Sequence, residues 1–345
     1  MTGQGGLERG SREQGRLVRG RPERGRLEST GLDKYNTAAR AGSATVIGVY
    51  STSFGLATRL LEPAVRGQIR TIYALVRIAD EIVDGAAADA GVDLGGQRQL
   101  LDELENETAR TLERGYSTNL VVHAFALTAR ATGIDASLTA PFFESMRRDL
   151  DPRPFTAESV AAYIYGSAEV IGLMCLRSFV AEAPPTPARR HELEVGARHL
   201  GAAFQKINFL RDLAADREAL GRNYFPGIEP LLMTDADKNR IIDDIDLDLR
   251  EAARVLPLLP IGSRRAVAAA QGLFGRLTEQ LRETPARELL HTRVRVSNPQ
   301  KLLIALSAAA SPGTVFTGGS PASRSTAVLA DHARTLRSRV TGWRR

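Results

Sequence analysis

Cysteine, tryptophan and methionine are scarce in this chain: one, one and four among 345 residues, with aromatics at only 6%. A single cysteine, Cys175, excludes an intrachain disulfide. Its apolar setting, Gly172-Leu173-Met174-Cys175-Leu176, suits a small buried hydrophobe in a reducing compartment, so a cytoplasmic location is expected. No uninterrupted apolar run of about 18 residues occurs, so no membrane span is expected. The N-terminus lacks an apolar core segment, so no secretory leader is expected. The five histidines are scattered and the acidic clusters lie in helical pattern, which excludes zinc-finger and EF-hand sites. There is no Gly-rich phosphate loop and no G-x-S-x-G elbow, which argues against nucleotide-binding and serine-hydrolase readings.

The net charge is +6, but it is unevenly placed. Residues 1–32 hold seven Arg and four Glu, and residues 311–345 hold six Arg and one Asp, leaving −2 for the body between them. A body of that charge is not a nucleic-acid face, and no nucleic-acid partner is expected. The basic ends read either as solvated tails or as contacts to an anionic lipid surface. The last stretch carries Leu329, Leu336, Val340 and Trp343 among its arginines, a thin amphipathic pattern near residues 326–340.

Abundant Ala and Leu favour helix over strand, and no hairpin signal appears. Breaks fall where Gly and Pro cluster, at residues 62–63, 85–96, 151–154, 184–187, 226–230 and 256–262. The expected organisation is a disordered basic tail over 1–32, one all-α domain over 33–310, and a Gly/Ser/Pro linker with a basic tail over 311–345.

Within the domain, two acidic columns repeat at helical spacing. The first is Asp80-Glu81-Ile82-Val83-Asp84, the second Asn208, Asp212 and Asp216. Residues four apart share a helix face, and unpaired carboxylates there repel each other. Such columns call for cations, and hard divalent ions with oxygen ligands suit them; Mg²⁺ commonly brings substrate phosphates with it. Tyr73, Arg77, Asp80 and Asp84 lie on one face, so Arg77 either forms a surface pair with Asp80 or holds an anionic substrate. Gln205 extends the second stripe by one turn. Gly221-Arg222-Asn223-Tyr224-Phe225-Pro226 then closes the segment, with Arg222 placed to reach an anion. The hydroxyls of Ser51-Thr52-Ser53, ahead of Phe54 and Gly55, either cap the following helix or serve the site.

Taken together these motifs resemble the squalene/phytoene synthase family, its bacterial phytoene synthases most, over roughly residues 45–305. The matching stretches are Tyr50-Ser51-Thr52-Ser53-Phe54, the segment from Ile72 to Asp84, Tyr163-Ile164-Tyr165-Gly166-Ser167-Ala168-Glu169-Val170-Ile171-Gly172, the run from Gln205 through Asp216 to Pro226, and Arg293-Val294-Arg295-Val296 before Lys301-Leu302. The resemblance implies an all-α, single-domain isoprenoid (terpenoid) synthase bundle with a deep central cavity. It implies Mg²⁺-dependent, or Mn²⁺-supported, head-to-head condensation of two prenyl diphosphates. In that reading Asp80, Asp84, Asn208, Asp212 and Asp216 are the metal and diphosphate residues. Ser51, Ser53, Arg77, Arg222 and Arg293 hold diphosphate oxygens, and Phe54, Tyr73, Tyr163 and Gln205 line the chain channel. Catalysis would rest on Asp80, Asp84, Asp212, Asp216, Tyr73 and Arg77.

The implied activity is phytoene synthesis from two geranylgeranyl diphosphates through a cyclopropyl diphosphate, in carotenoid biosynthesis, with no NADPH. The alternatives are a squalene or dehydrosqualene synthase acting on farnesyl diphosphate, a head-to-tail prenyltransferase or terpene cyclase, and a non-catalytic assembly factor. A downstream desaturase and the inner face of a membrane are the implied partners. Two positions depart from the family pattern: Glu169, where a glycine is common, and Phe274, in a place usually taken by tyrosine.

Overall fold

The computed structural model describes residues 30–51, 53–213 and 223–310, and these form helices and turns with no strand among the described residues. The basic tails, Asp216 and Arg222 lie outside them. α1 (Gly31–Tyr50) starts at a capping box in which Thr30 and Asp33 satisfy each other's backbone N–H groups. After the single turn α2 (Ser53–Thr58), Pro63 opens α3 (Pro63–Asp84), where its missing N–H costs nothing. α4 (Ala86–Asp89) and α5 (Leu94–Arg114) follow, then α6 (Leu120–Thr132) and α7 (Ala136–Asp149). α5 and α6 both end on left-handed glycines, Gly115 at φ 82° and Gly133 at φ 73°.

α8 (Ala157–Ile164) runs through a π turn (Tyr165–Glu169) into α9 (Val170–Val180). The long α10 (Pro187–Arg211) leads to the second acidic segment. α11 (Asp235–Val255), α12 (Ile261–Glu283), the short α13 (Ala286–Leu289) and α14 (Asn298–Ala310) complete the fold. Every break expected from Pro and Gly falls at or beside a helix boundary.

Two hydrophobic cores hold the bundle together. The first joins α3, α5, α6, α7 and α9 around Ile72, Leu75, Phe125, Phe142 and Phe143. The second joins α8, α10, α11 and α12 around Ile207, Leu210, Ile242, Ile245 and Leu281. Each such side chain contributes about 1.5–3 kcal/mol on burial. On α3 the buried residues Ile69, Ile72, Leu75, Ala79 and Val83 recur every three or four positions. Tyr73, Arg77 and Asp80 occupy the adjoining stripe, so the same helix feeds the core with one face and the site with the next.

The helix spanning Ala157–Val180 is 24 residues long with a mean hydropathy of 1.5. By length and composition it could cross a membrane, although Glu158, Glu169 and Arg177 interrupt its apolar run. In the fold it packs against α3, α7 and α10. Its one internal carboxylate, Glu169, is answered by Arg198 at 2.6 Å.

Close approach in this region depends on glycine. A Cβ on Gly166 would lie 2.1 Å from both the Pro141 carbonyl oxygen and Ser145 Oγ of α7. One on Gly172 would lie 2.6 Å from the Ala197 oxygen, and one on Gly201 2.6 Å from the Ala168 oxygen. The Gly166→Ala variant should therefore lose about 1–3 kcal/mol of stability through overpacking. Gly275→Ala on α12, where nothing lies within 4 Å of the added carbon, should gain about 0.5–1 kcal/mol. Urea unfolding of the two variants checks this; equal stabilities would contradict the packing described.

Candidate active site

The stripe on α3 gathers as the spacing requires. Arg77 Nη1 donates to Asp80 Oδ2 at 2.5 Å, and its other terminal nitrogen pairs with Glu81. The guanidinium lies over the Tyr50 ring, 4.4 Å from its centroid. Tyr73 and Ser51 are joined by a side-chain hydrogen bond, which brings the end of α1 onto the same stripe. Burial pushes the Tyr73 phenol above its usual range, while Arg77 and Ser51 pull it back. Arg77 Nε is buried without a partner among the described residues, so this arginine retains donor capacity. Glu81, the middle carboxylate of the first column, also accepts from Ala86 N–H at 3.0 Å and so ties α3 to α4. Its i+4 spacing from Arg77 was the available signal for that role.

At the end of α10 a second cluster forms. Asp212 accepts from Arg211 Nε at 3.0 Å and from Arg293 Nη2 at 3.3 Å. The Arg293 Nε stands 2.7 Å from Asp212 Oδ1 as an ion pair. Two guanidiniums thus grip one carboxylate, and Arg293 arrives from the segment after α13. Upstream of it the end of α12 is anchored by Lys238, which is buried and donates to the carbonyl oxygens of Arg282, at 3.0 Å, and Thr284.

The expected uninterrupted column Asn208–Asp212–Asp216 needs correction. α10 ends at Arg211, and Asp212 sits at φ −100°, ψ 10°, outside helical geometry. Asn208 remains helical, its carbonyl accepting the Asp212 N–H at 2.9 Å. Ser53 and Phe54 open α2.

Between the two cores lies a cavity of about 200 Å³. Tyr73, Arg77 and Asp80 come to it from α3, Tyr163 from α8, Ser167 from the π turn and Gln205 from α10, with Phe142 and Met146 as apolar wall. Five of the expected site residues therefore share one cavity, while Asp212 and Arg293 form a separate cluster at the end of α10. The connection is aromatic: Phe209 stacks on Tyr224 at 3.9 Å and 5°, and Tyr163 lies 6.0 Å from Phe209 and 5.6 Å from Tyr224. Asp84 is exposed at the end of α3 and within electrostatic reach of Tyr163.

The residue that sequence reasoning passed over is Asp149. It is buried at the end of α7, and Tyr163 donates its hydroxyl to Asp149 Oδ2 at 2.9 Å. Burial, then the neighbouring carboxylate, holds the Tyr163 phenol well above its usual range, so it stays protonated. The two departures from the family pattern also have places. Glu169 pairs with Arg198 beside a separate cavity of about 330 Å³, and Phe274 stacks on Phe204 at 3.7 Å.

Three comparisons bear on this arrangement. A family profile described as squalene/phytoene synthase matches residues 47–229. The 15-cis-phytoene synthase of Paracoccus sp. is 29% identical over 179 residues, which are 51% of this chain and 56% of that protein. The 15-cis-phytoene synthase of Enterobacter agglomerans is 26% identical over 279 residues, 75% of this chain and 91% of that protein. A crystal structure of a dehydrosqualene synthase with ligand superposes at a TM-score of 0.65 over 80% of this chain and 97% of its own, with 22% identity, and so shares the fold. Motif order, helical architecture and profile match agree: the chain belongs to the squalene/phytoene synthase family.

Proposed function

We propose that this chain is a phytoene synthase, joining two geranylgeranyl diphosphates head to head. The observation that carries the reading is the pairing of carboxylate with arginine in two clusters: Asp80 with Arg77 at the partly apolar cavity, and Asp212 with Arg211 and Arg293 at the end of α10. Similarity to phytoene synthases in two bacteria supports the choice of substrate.

The donor chemistry suits Mg²⁺. The acidic stripes offer oxygen ligands, carboxylate and amide, and no sulfur. Asp80 and Asp84 on one side and Asn208 and Asp212 on the other would hold it, although no group of three ligating side chains is gathered among the described residues. When bound, the ion neutralises charge on a departing diphosphate.

The chain's own residues supply the rest. The Arg77 fork, with Ser51 and Tyr73 beside it, binds diphosphate oxygens and fixes their orientation. Phe142, Met146 and Val76 exclude water from the allylic cation left by ionisation. The second substrate's double bond attacks that cation, and loss of one proton closes a cyclopropane. A second ionisation, rearrangement and loss of a second proton give the hydrocarbon. The balance is two diphosphates and two protons released and no electron supplied, so no reductant enters. Squalene formation would require a hydride in place of the second proton loss; dehydrosqualene formation would not, and differs in its fifteen-carbon substrate. A hydrocarbon of this length must pass to a bilayer or to a desaturating enzyme. The cavity's volume of about 200 Å³ lies below the 300–1,000 Å³ of ordinary ligand sites.

Purified protein with Mg²⁺ and geranylgeranyl diphosphate should yield phytoene by mass spectrometry without NADPH, EDTA should stop it, and Mg²⁺ should restore it. A product formed only from farnesyl diphosphate, or only with NADPH, would replace this reading by the squalene-type one. Asp80→Ala and Asp212→Ala should each lower kcat/KM by about 10²–10³-fold. Their unfolding free energies should stay within about 1 kcal/mol, because the pairs removed are partly solvated.

Arg77→Lys should cost about tenfold to a hundredfold in kcat/KM, since an ammonium cannot reproduce the planar fork. Unchanged kinetics would reduce Arg77 to a surface partner of Asp80.

A further inference from the structure

Ser167 stands apart from the other helical hydroxyls of this chain. Thr108, Thr111, Thr132, Ser178 and Thr278 all donate to the carbonyl four residues earlier. Ser167 does not, and its Oγ is buried with no hydrogen-bond partner among the described residues. The local geometry explains why. The chain winds into a π turn here, with Val170 N–H bonded five residues back to the Tyr165 oxygen. The carbonyl that Ser167 would use, that of Tyr163, accepts instead from Ser145 Oγ of α7 at 3.2 Å. Gly166 lets α7 approach closely enough for this.

A buried hydroxyl without a partner is costly, and such groups in native proteins usually meet a ligand or an ordered water. Ser167 faces the reaction cavity, and Gln205 brings an amide with both donor and acceptor to the same wall. The Tyr163 phenol lines it too, its proton committed to Asp149 and its oxygen still able to accept. Three polar groups suffice to hold a water, and about 200 Å³ is ample room for one.

We propose that Ser167 and Gln205 form a water-binding position inside the cavity, and that this position sets how much ionised substrate leaves as a prenyl alcohol rather than as hydrocarbon. The inference rests on the prenyl-diphosphate reading above. The step balances: a lone pair of the held water bonds to the allylic cation, the carbon–oxygen bond to diphosphate having already broken. The proton lost from the resulting oxonium passes to the released diphosphate. Of the remaining lining, Phe142, Met146 and Val76 offer water no hydrogen bond, and Tyr73, Arg77 and Asp80 belong to the stripe assigned above to diphosphate and metal. Ser167 is therefore a product-determining residue.

Two measurements test it. A high-resolution crystal structure of the protein should show an ordered water within hydrogen-bond distance of Ser167 Oγ and Gln205, and Ser167→Val should lack it. Turnover in H₂¹⁸O should give prenyl alcohol labelled on its hydroxyl, whereas attack at phosphorus would put the label in phosphate. Ser167→Val and Ser167→Ala should lower the ratio of labelled alcohol to hydrocarbon at least about threefold, a ratio that a general loss of folding or rate leaves unmoved. Absence of the water from the wild-type structure overturns the proposal, even for an active enzyme. A water that is present alongside an unchanged ratio overturns the product-determining role. No diphosphate release from any prenyl diphosphate, with the water in place, counts instead against the reaction assigned above and removes the product role with it.

Discussion

A carboxylate column on a helix persists only where positive charge answers it. In this protein the answer is arginine, delivered from three different distances along the chain. Arg77 reaches Asp80 from one turn away, Arg211 reaches Asp212 from the adjacent position, and Arg293 arrives from beyond α13. These pairs are partly solvated, so their direct contribution to stability is small. Their weight lies in organisation. They hold carboxylates against guanidinium forks already oriented, one cluster at the cavity and the other at the end of α10.

The two cores explain why that field sits where it does. α3 belongs to the first core through Ile72 and Leu75, and α10 to the second through Ile207 and Leu210. The rod formed by α8, the π turn and α9 packs between them, seated by glycines where backbones nearly touch. The cavity lies at that seam. The aromatic cluster of Phe155, Tyr163, Phe209 and Tyr224 lies on its second side, and Phe209 stands about one helical turn before Asp212.

Much of this was legible from residue order. Proline and glycine mark the helix ends because their backbone constraints are local, and the face shared by Tyr73, Arg77 and Asp80 follows from helical pitch alone. What escaped was non-local. Asp149 meets Tyr163 only because α7 and α8 fold back on each other, and nothing in either segment announces the pair. The interruption at Asp212 likewise escaped, since a polar residue every four positions reads as unbroken helix. The neighbours of Ser51 and Glu169 likewise come from distant segments: Tyr73 bonds Ser51, and Arg198 answers Glu169 beside another cavity. The i,i+3 pairing of Arg77 with Asp80, half-buried, is present and lines the cavity as well.

The reach of Arg293 has a consequence for synthesis of the protein. Asp212 and Arg293 are 81 residues apart in the chain. A ribosome adds about 5–20 residues per second, and N-terminal parts fold first. The acidic end of α10 therefore emerges several seconds before its distal guanidinium. During that interval Asp212 has only one of its two guanidinium partners, Arg211. The cluster is thus completed only after α11, α12 and α13 have been made.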